Sequence, residues 1–164
     1  MILFLTADDA GASVEVNERI EAATQNGYVN SVSILANTEG FDDAVRRFAR
    51  RTDLRLSLHL NVVEGVPLTL DTSSPLVAPS GNFKFQAAGL MRHYLLSSTR
   101  TRRRIKADIR MEWAAQIRKF REHFGSEDSL NIDSHQHVHV NSFALESLIG
   151  ALRDARTVAK SVRL

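Results

Sequence analysis

The 164 residues predict one α/β domain built on parallel strands. Strand-like segments alternate with segments of helical periodicity, which favours parallel pairing through right-handed crossovers. Ionisable residues gather where predicted strands end, which is where such folds place their reactive groups. A closed eight-stranded barrel takes about 250 residues. We therefore expect a parallel sheet that is open or incomplete, with residues 1–164 as the N-terminal part of a longer protein.

The pattern predicts five strands and five helices. The strands are expected at 2–7, 28–35, 54–61, 130–138 and 158–164. The first helix is expected to begin after Ser13, a plausible N-cap, and to be closed by Gly27. The other helices are expected at 41–51, 85–97, 101–124 and 142–154. The stretch 62–80 holds all three prolines and is expected to be a functional loop.

Composition excludes several classes of protein. The formal charge of +2 gives no electrostatic argument for nucleic acid or a membrane as the main partner. There are no cysteines, so a metal would be held by histidine and carboxylate side chains. The opening MILFL is too short for a signal peptide, and no window approaches the roughly 20 apolar residues of a membrane span. A cytoplasmic location is the resulting expectation.

The segment 131–139 carries the strongest chemical signal. In a strand, Asp133, His135, His137 and His139 would share one face. That row would span on the order of 20 Å, so a single metal could be reached by only an adjacent pair. The alternative is a surface strand that contains several histidines by chance.

Asp8 and Asp9 close the first predicted strand. Neighbours on a strand point to opposite faces, but at a bend between strand and loop both can reach one site. Two such carboxylates suit a division of labour, in which one binds a metal and the other acts as a base. An Asx turn or a helix cap is the alternative role for this pair.

His59 lies on the polar face of the third predicted strand, together with Ser57 and Asn61. A core histidine with satisfied hydrogen bonds is the alternative to a ligand. The basic run 100–110 is interpreted as a solvated helix face, because no aromatic residues interleave with it. Glu112 and Gln116 lie one helical turn apart and either support the site or pair on the surface.

At these residues the chain resembles the YdjC-like family, which includes chitooligosaccharide deacetylases. Residues 6–11 are similar to the family's opening strand, which ends in Asp-Asp-Phe-Gly. Residues 57–60 match its Gly-(Leu/Met)-His-(Leu/Phe) strand, and Asp133–His139 match its Asp-Ser-His-(Gln/His)-His-Val-His motif. The order of the segments between them, including Ser80–Phe83, is also similar.

The resemblance implies a deviant (β/α) barrel that removes an N-acetyl group from a sugar such as a chito-oligosaccharide, with a divalent metal, usually magnesium. By position, the implied metal ligands are Asp9, His59 and His135. Asp8 would be the catalytic base, and His137 or His139 the acid or a substrate contact. On ligand chemistry alone, zinc or manganese suits two imidazoles and a carboxylate at least as well as magnesium.

Two departures from the family pattern leave other functions open. Ala10 stands where the family usually has phenylalanine, and family members are considerably longer than this chain. One alternative is a degenerate homologue that binds a sugar or a metal without turnover. Another is a different metal-dependent amidohydrolase or phosphoesterase, although in those enzymes the His-x-His strand usually comes early. An incomplete barrel would expose strand edges, so a homodimer is a further hypothesis.

Overall fold

The computed structural model describes residues 3–125 and 129–163. Five parallel strands form one open sheet in the order β1-β2-β3-β4-β5. They are β1 (Thr6–Ala10), β2 (Ser31–Ile34), β3 (Arg55–Leu60), β4 (Ser129–Ser134) and β5 (Val158–Val162). The predicted α/β fold with an incomplete barrel-like sheet is confirmed.

Five helices connect the strands or extend their crossovers. They are α1 (Val14–Gln25), α2 (Phe41–Phe48), α3 (Ala87–Leu96), α4 (Thr99–Phe124) and α5 (Ser142–Asp154). The predicted cap is confirmed, since the Ser13 side chain accepts a hydrogen bond from the Val16 amide. In the part of the chain that the structure describes, no helix combines the length and apolar character of a membrane span.

The two faces of the sheet differ in polarity. Because strands in sequential order are joined by crossovers of one hand, the helices cover a single face. That face is apolar and includes buried Val32, Leu58 and Ile132. The other face carries serines and ionisable groups, among them Ser33 and His59. Functional side chains are therefore presented on the uncovered face of the sheet.

The core lies between the sheet and α4 and α5. Trp113 on α4 is fully buried and belongs to this core. The basic run at the start of α4 forms ion pairs with acids, for example Arg104 with Asp108 at 2.7 Å and Arg110 with Asp154 at 2.6 Å. The Arg104 and Arg110 side chains are 55% and 50% exposed, which agrees with a solvated helix face.

The first strand begins later than predicted. Of the expected strand 2–7, only Thr6 and Ala7 belong to β1, and Ile2 lies outside the described residues. Leu3, Phe4 and Leu5 are exposed rather than buried. The physical reason is position, because β1 is an edge strand that pairs only with β2. The strand instead continues through the two aspartates to Ala10.

The largest correction concerns the histidine row. The strand predicted for 130–138 ends at Ser134, and His135–Val140 form a short 3₁₀ segment. Gln136 and His137 both adopt left-handed backbone conformations, with φ of 52°. The prediction that His135, His137 and His139 share a strand face with Asp133 is therefore wrong. A Ser134 hydroxyl that accepts from the His139 amide at 3.1 Å holds the turn closed.

Other boundaries move by a few residues at the ends of elements. Strand β2 starts at Ser31 rather than at position 28, where Tyr28 is exposed. Helix α2 ends at Phe48, three residues before its predicted end. Strand β5 ends at Val162, and the predicted last residue of that strand lies outside the described residues.

The proline-bearing loop is anchored by a buried carboxylate. Glu112 is fully buried on α4, and its side chain accepts hydrogen bonds from the amides of Leu68 and Thr69, both at 2.9 Å. Gln116 forms two hydrogen bonds with the backbone of Asn61. Its Oε1 accepts from the Asn61 amide at 2.9 Å, and its Nε2 donates to the Asn61 carbonyl at 2.7 Å. The alternative that Glu112 and Gln116 form a surface pair is wrong. They fix the end of β3 and the loop that follows it.

Candidate metal centre

A bulge in β1 turns both aspartates toward the carboxyl edge of the sheet. The register with β2 shifts between Ala7 and Ala10, and Asp9 has a left-handed φ of 66°. The turn is fixed at Gly11, whose amide donates to the buried Asn17 side chain at 2.6 Å. A Cβ at Gly11 would lie 2.6 Å from a backbone oxygen, and φ is +93°, so only glycine fits there. The bend expected from the sequence is thus present.

Three of the predicted residues meet at this edge. Asp9 Oδ1 lies 2.8 Å from His135 Nδ1 and 3.3 Å from His59 Nε2. Each residue offers one ligand atom within 4.8 Å of the other two. Metal bonds near 2.1 Å place neighbouring ligand atoms about 3 Å apart. The spacing of Asp9, His59 and His135 therefore fits one divalent ion.

One side of the cluster, at His59, is buried, and the other side, the rim at Asp9 and His135, is more open to solvent. The His59 side chain is 5% exposed, while that of Asp9 is 41% exposed. At the rim, Glu64 Oε2 lies 3.3 Å from His135 Nε2, and Gln136 Nε2 donates to Glu64 Oε1 at 3.2 Å. A small ligand can therefore approach Asp9 from solvent, while His59 is almost fully buried.

The charges at this edge are strongly coupled. Hydrogen bonds from His135 and His59 hold the pKa of Asp9 well below its usual range. Burial alone lowers the pKa of His59, but the hydrogen bonds to Asp133 and Asp9 outweigh it and raise that pKa to about 9. The hydrogen bond to Asp9 likewise raises the pKa of His135. Metal binding has to displace these imidazole protons, since a ligating imidazole nitrogen carries none.

Asp133 lies beneath His59 rather than in the ligand set. The two residues are register partners on β3 and β4, and His59 Nδ1 donates to Asp133 Oδ1 at 2.6 Å. Ser33 Oγ donates to the same oxygen at 2.5 Å. Arg163 lies 2.7 Å from the other carboxylate oxygen. Both oxygens of this buried carboxylate are thus occupied by protein donors.

A second group of potential ligands consists of Asp8, His59 and Asp133. The Arg163 guanidinium forms ion pairs with both Asp8 and Asp133, so a cation already lies between these two carboxylates. A divalent ion at that position would be repelled by the arginine and would have to displace it. The charge distribution therefore favours the first group over the second.

The remaining two predicted histidines lie in different environments. His137 is exposed at the surface of the 3₁₀ segment. His139 is buried, its Nδ1 lies 2.6 Å from Ser134 Oγ, and its Nε2 has no hydrogen-bond partner. Burial lowers the pKa of His139. Neither belongs to the group of three potential ligands, so only His135 of this segment does.

Sequence reasoning did not identify Ser33, Glu64 or Arg163 as part of this site. Arg163 reaches Asp8 from the far end of the chain, a contact between residues 155 positions apart. It also joins the two edge strands of an open sheet, which no local pattern reveals. A detectable signal existed for Ser33, because Ser31 and Ser33 alternate with apolar residues on a predicted strand.

A cavity of about 500 Å³ opens beside the rim. Its wall includes Asn37, Thr38, Glu64 and Val66. Asn37 is buried and donates to the carbonyls of Glu64 and Val66 at 3.3 and 3.2 Å. The cavity therefore shares Glu64 with the rim of the candidate metal centre.

Several curated deacetylases are similar in sequence to this chain. A carbohydrate deacetylase of Halalkalibacterium halodurans is 32% identical over 140 residues, which cover 85% of this chain and 54% of the relative. A chitooligosaccharide deacetylase of Proteus mirabilis is 31% identical, over 85% of this chain and 50% of the relative. A carbohydrate deacetylase of Mus musculus is 34% identical, over 84% and 43%. The chain thus spans about half the length of these curated relatives.

A solved structure is similar in fold, and a family model matches the sequence. The crystal structure of an Enterococcus faecalis V583 protein assigned to cellobiose-phosphate cleavage superposes with a TM-score of 0.72 at 24% identity, covering 95% of this chain and 57% of that one. This likeness supports the fold. The family model described as YdjC-like protein matches residues 2–163. The chain belongs to the YdjC-like family.

Proposed function

We propose that the protein containing this chain is a metal-dependent hydrolase that removes the N-acetyl group from an acetylated sugar. The single observation that carries the proposal is the convergence of Asp9, His59 and His135 at the carboxyl edge of the sheet, next to Asp8. The names of the deacetylase relatives support the substrate class. The cavity of about 500 Å³ beside the rim lies within the range of small-molecule sites.

The residues present fit a divalent cation. Asp9 supplies a carboxylate oxygen, and His59 and His135 supply imidazole nitrogens at suitable spacing. Magnesium is the expectation from the family, whereas this nitrogen-rich donor set suits zinc or manganese equally well. When bound, such an ion polarises an amide carbonyl and lowers the pKa of a water molecule.

Asp8 is the proposed general base. Its carboxylate is the neighbour of ligand Asp9 and is half exposed, so it is accessible to a water molecule at the rim. The ion pair with Arg163 orients this carboxylate. Asp8 would accept the proton of the attacking water, the role of a base positioned within hydrogen-bond reach.

The leaving nitrogen needs a proton, and His137 or His139 is the proposed donor. His137 is exposed and can exchange protons with solvent. His139 is buried and holds its Nε2 without a hydrogen-bond partner. Substitution distinguishes a proton donor from a metal ligand. Replacing the donor should lower turnover and leave metal affinity unchanged.

The test is acetate release from diacetylchitobiose by this chain, with magnesium, manganese or zinc added and with a chelator control. We expect metal-dependent release that is lost in His59→Ala. His93→Ala is the matched control, because His93 stacks on Phe85 outside the cluster. Metal binding without release would favour a binding homologue, and release of phosphate from a phosphoester instead would favour the phosphoesterase alternative. Activity that persists in His59→Ala would contradict the proposal.

A further inference from the structure

Both oxygens of the Asp133 carboxylate accept from donors on β2, on β3 and on the residue that follows β5. His59 Nδ1 and Ser33 Oγ both approach Oδ1, at 2.6 and 2.5 Å, and Arg163 lies 2.7 Å from Oδ2. The side chain is 2% exposed. A carboxylate in this position has no free oxygen directed at a ligand, yet it makes the shortest contact of the His59 ring with another side chain.

The direction of these bonds determines the state of the His59 ring. An ionised carboxylate only accepts hydrogen bonds, so Nδ1 has to be the donor. The Ser33 hydroxyl donates its own proton to the same oxygen and cannot also donate to Nδ1, which lies 3.1 Å from it. The opposite nitrogen, Nε2, faces Asp9 Oδ1 at 3.3 Å. A neutral ring held in this way carries its proton on Nδ1 and directs the lone pair of Nε2 at the ligand cluster.

We propose that Asp133, supported by Ser33 and Arg163, is a positioning residue that fixes His59 in the tautomer and orientation required for a metal bond through Nε2. Hydrogen bonds from a ligating imidazole to a carboxylate commonly set ring orientation and basicity in metal sites. Asp133 acts through His59 and is not itself a ligand. This inference rests on the proposed metal centre but is independent of the substrate.

The chain contains a matched control for Asp133. Asp108 is equally buried, and it also accepts from a serine hydroxyl and an arginine, Ser74 at 2.6 Å and Arg104 at 2.7 Å. Within the part of the chain that the structure describes, Asp108 pairs with no histidine and belongs to neither group of potential ligands. Asp133→Asn and Asp108→Asn therefore remove a similar buried charge at two sites, only one of which orients an imidazole.

The experiment measures the dissociation constant of Zn²⁺ or Mn²⁺ by calorimetry for both variants, with folding checked by circular dichroism. Asp133→Asn should bind the ion about 10–100-fold more weakly, while Asp108→Asn should stay within about threefold of the unchanged chain. Equal affinity in Asp133→Asn, or an equal loss in Asp108→Asn, would overturn the inference. A metal that fails to bind the unchanged chain would overturn the proposed metal centre itself.

If Asp133→Asn does not fold, two less disruptive serine variants and a spectroscopic measurement provide the test. Ser33→Ala should weaken binding of the ion by about three- to tenfold, and Ser74→Ala should leave it unchanged. In the Zn²⁺ complex of the unchanged chain, nitrogen-15 spectra of the imidazoles should place the His59 proton on Nδ1 and the metal on Nε2. A proton on Nε2 would contradict the proposal without any variant.

Discussion

The edge cluster (Asp9, His59, His135 and Asp133) and the loop anchor (Glu112 with Gln116) both bury carboxylates, but they satisfy them differently. Glu112 accepts from two backbone amides, from the Thr69 hydroxyl and from the Gln116 amide, all of them neutral donors. In the edge cluster the donors include imidazoles and a guanidinium beside the neutral Ser33 hydroxyl. An imidazole can exchange a proton for a metal, whereas a backbone amide cannot.

This difference separates a structural carboxylate from a proposed metal ligand. The amides of Leu68 and Thr69 would be left without an acceptor if the carboxylate were removed, so its role is stability. Asp9 is partly exposed and its partners can change protonation, as the proposed role of a metal ligand requires. Burial alone would have ranked Glu112 above Asp9 as a candidate site residue.

The largest expected effect on stability is that of Glu112→Ala. The amides of Leu68 and Thr69 would lose their acceptor, and Gln116 Nε2 would keep only the Asn61 carbonyl, at a cost of about 4 kcal/mol in the free energy of unfolding. Urea denaturation measures this, with exposed Glu122→Ala on the same helix as the control. In the folded fraction, metal affinity should stay within about threefold. If Glu112→Ala lost metal affinity but kept its stability, Glu112 could not be a purely structural carboxylate.

Asp8→Asn should affect turnover rather than stability or metal affinity. Loss of a general base lowers turnover by about 100-fold or more, whereas the ligands Asp9, His59 and His135 are intact, so metal affinity should be nearly unchanged. Calorimetry and acetate release on the same sample measure the two quantities. Asp71→Asn, an exposed loop aspartate, is the control for a change in charge. Normal turnover in Asp8→Asn would remove the base assignment.

The smallest effect concerns the support of the β1 turn. Asn17 accepts from the Gly11 amide and donates to Asp43 at 3.0 Å. Burial opposes ionisation of Asp43, but hydrogen bonds from Arg47 and Asn17 prevail and lower its pKa. Because the folded pKa lies below the unfolded one, the stability gained is present above about pH 4 and is lost as pH falls through the folded pKa.

Asp43→Asn should therefore reduce the loss of stability between neutral pH and pH 3. The free energy of unfolding, measured by denaturant at both pH values, tests this. Exposed Asp42→Asn makes the same charge change and should leave the pH dependence as it is. An unchanged pH dependence in Asp43→Asn would show that Asp43 gains nothing from its partners.

Much of the architecture followed from periodicity, and the failures have a common cause. Strand β3 and helix α5 were predicted within a residue or two, because their patterns are long and unbroken. The histidine row failed because alternation also fits a tight turn, and left-handed Gln136 and His137 have no sequence signal such as glycine. His135 reaches the cluster through this turn and not through the strand face from which it was inferred.

The residues around the cluster were harder to predict than the cluster itself. Asp9 and His59 end strands whose carboxyl ends meet at one edge, so topology alone brings them together. Arg163 depends on how far an open sheet curls, which brings β5 to β1 at that edge. Curvature is a property of the whole sheet, and no local segment encodes it.

The most direct test of the central claim is an anomalous difference map from crystals of this chain grown with Mn²⁺. The edge cluster predicts a single peak bonded to Asp9, His59 Nε2 and His135, with Asp133 and Arg163 still paired beneath it. A peak between Asp8 and Asp133 with Arg163 displaced, or no peak at this edge at a manganese concentration that saturates the chain in solution, would contradict the account.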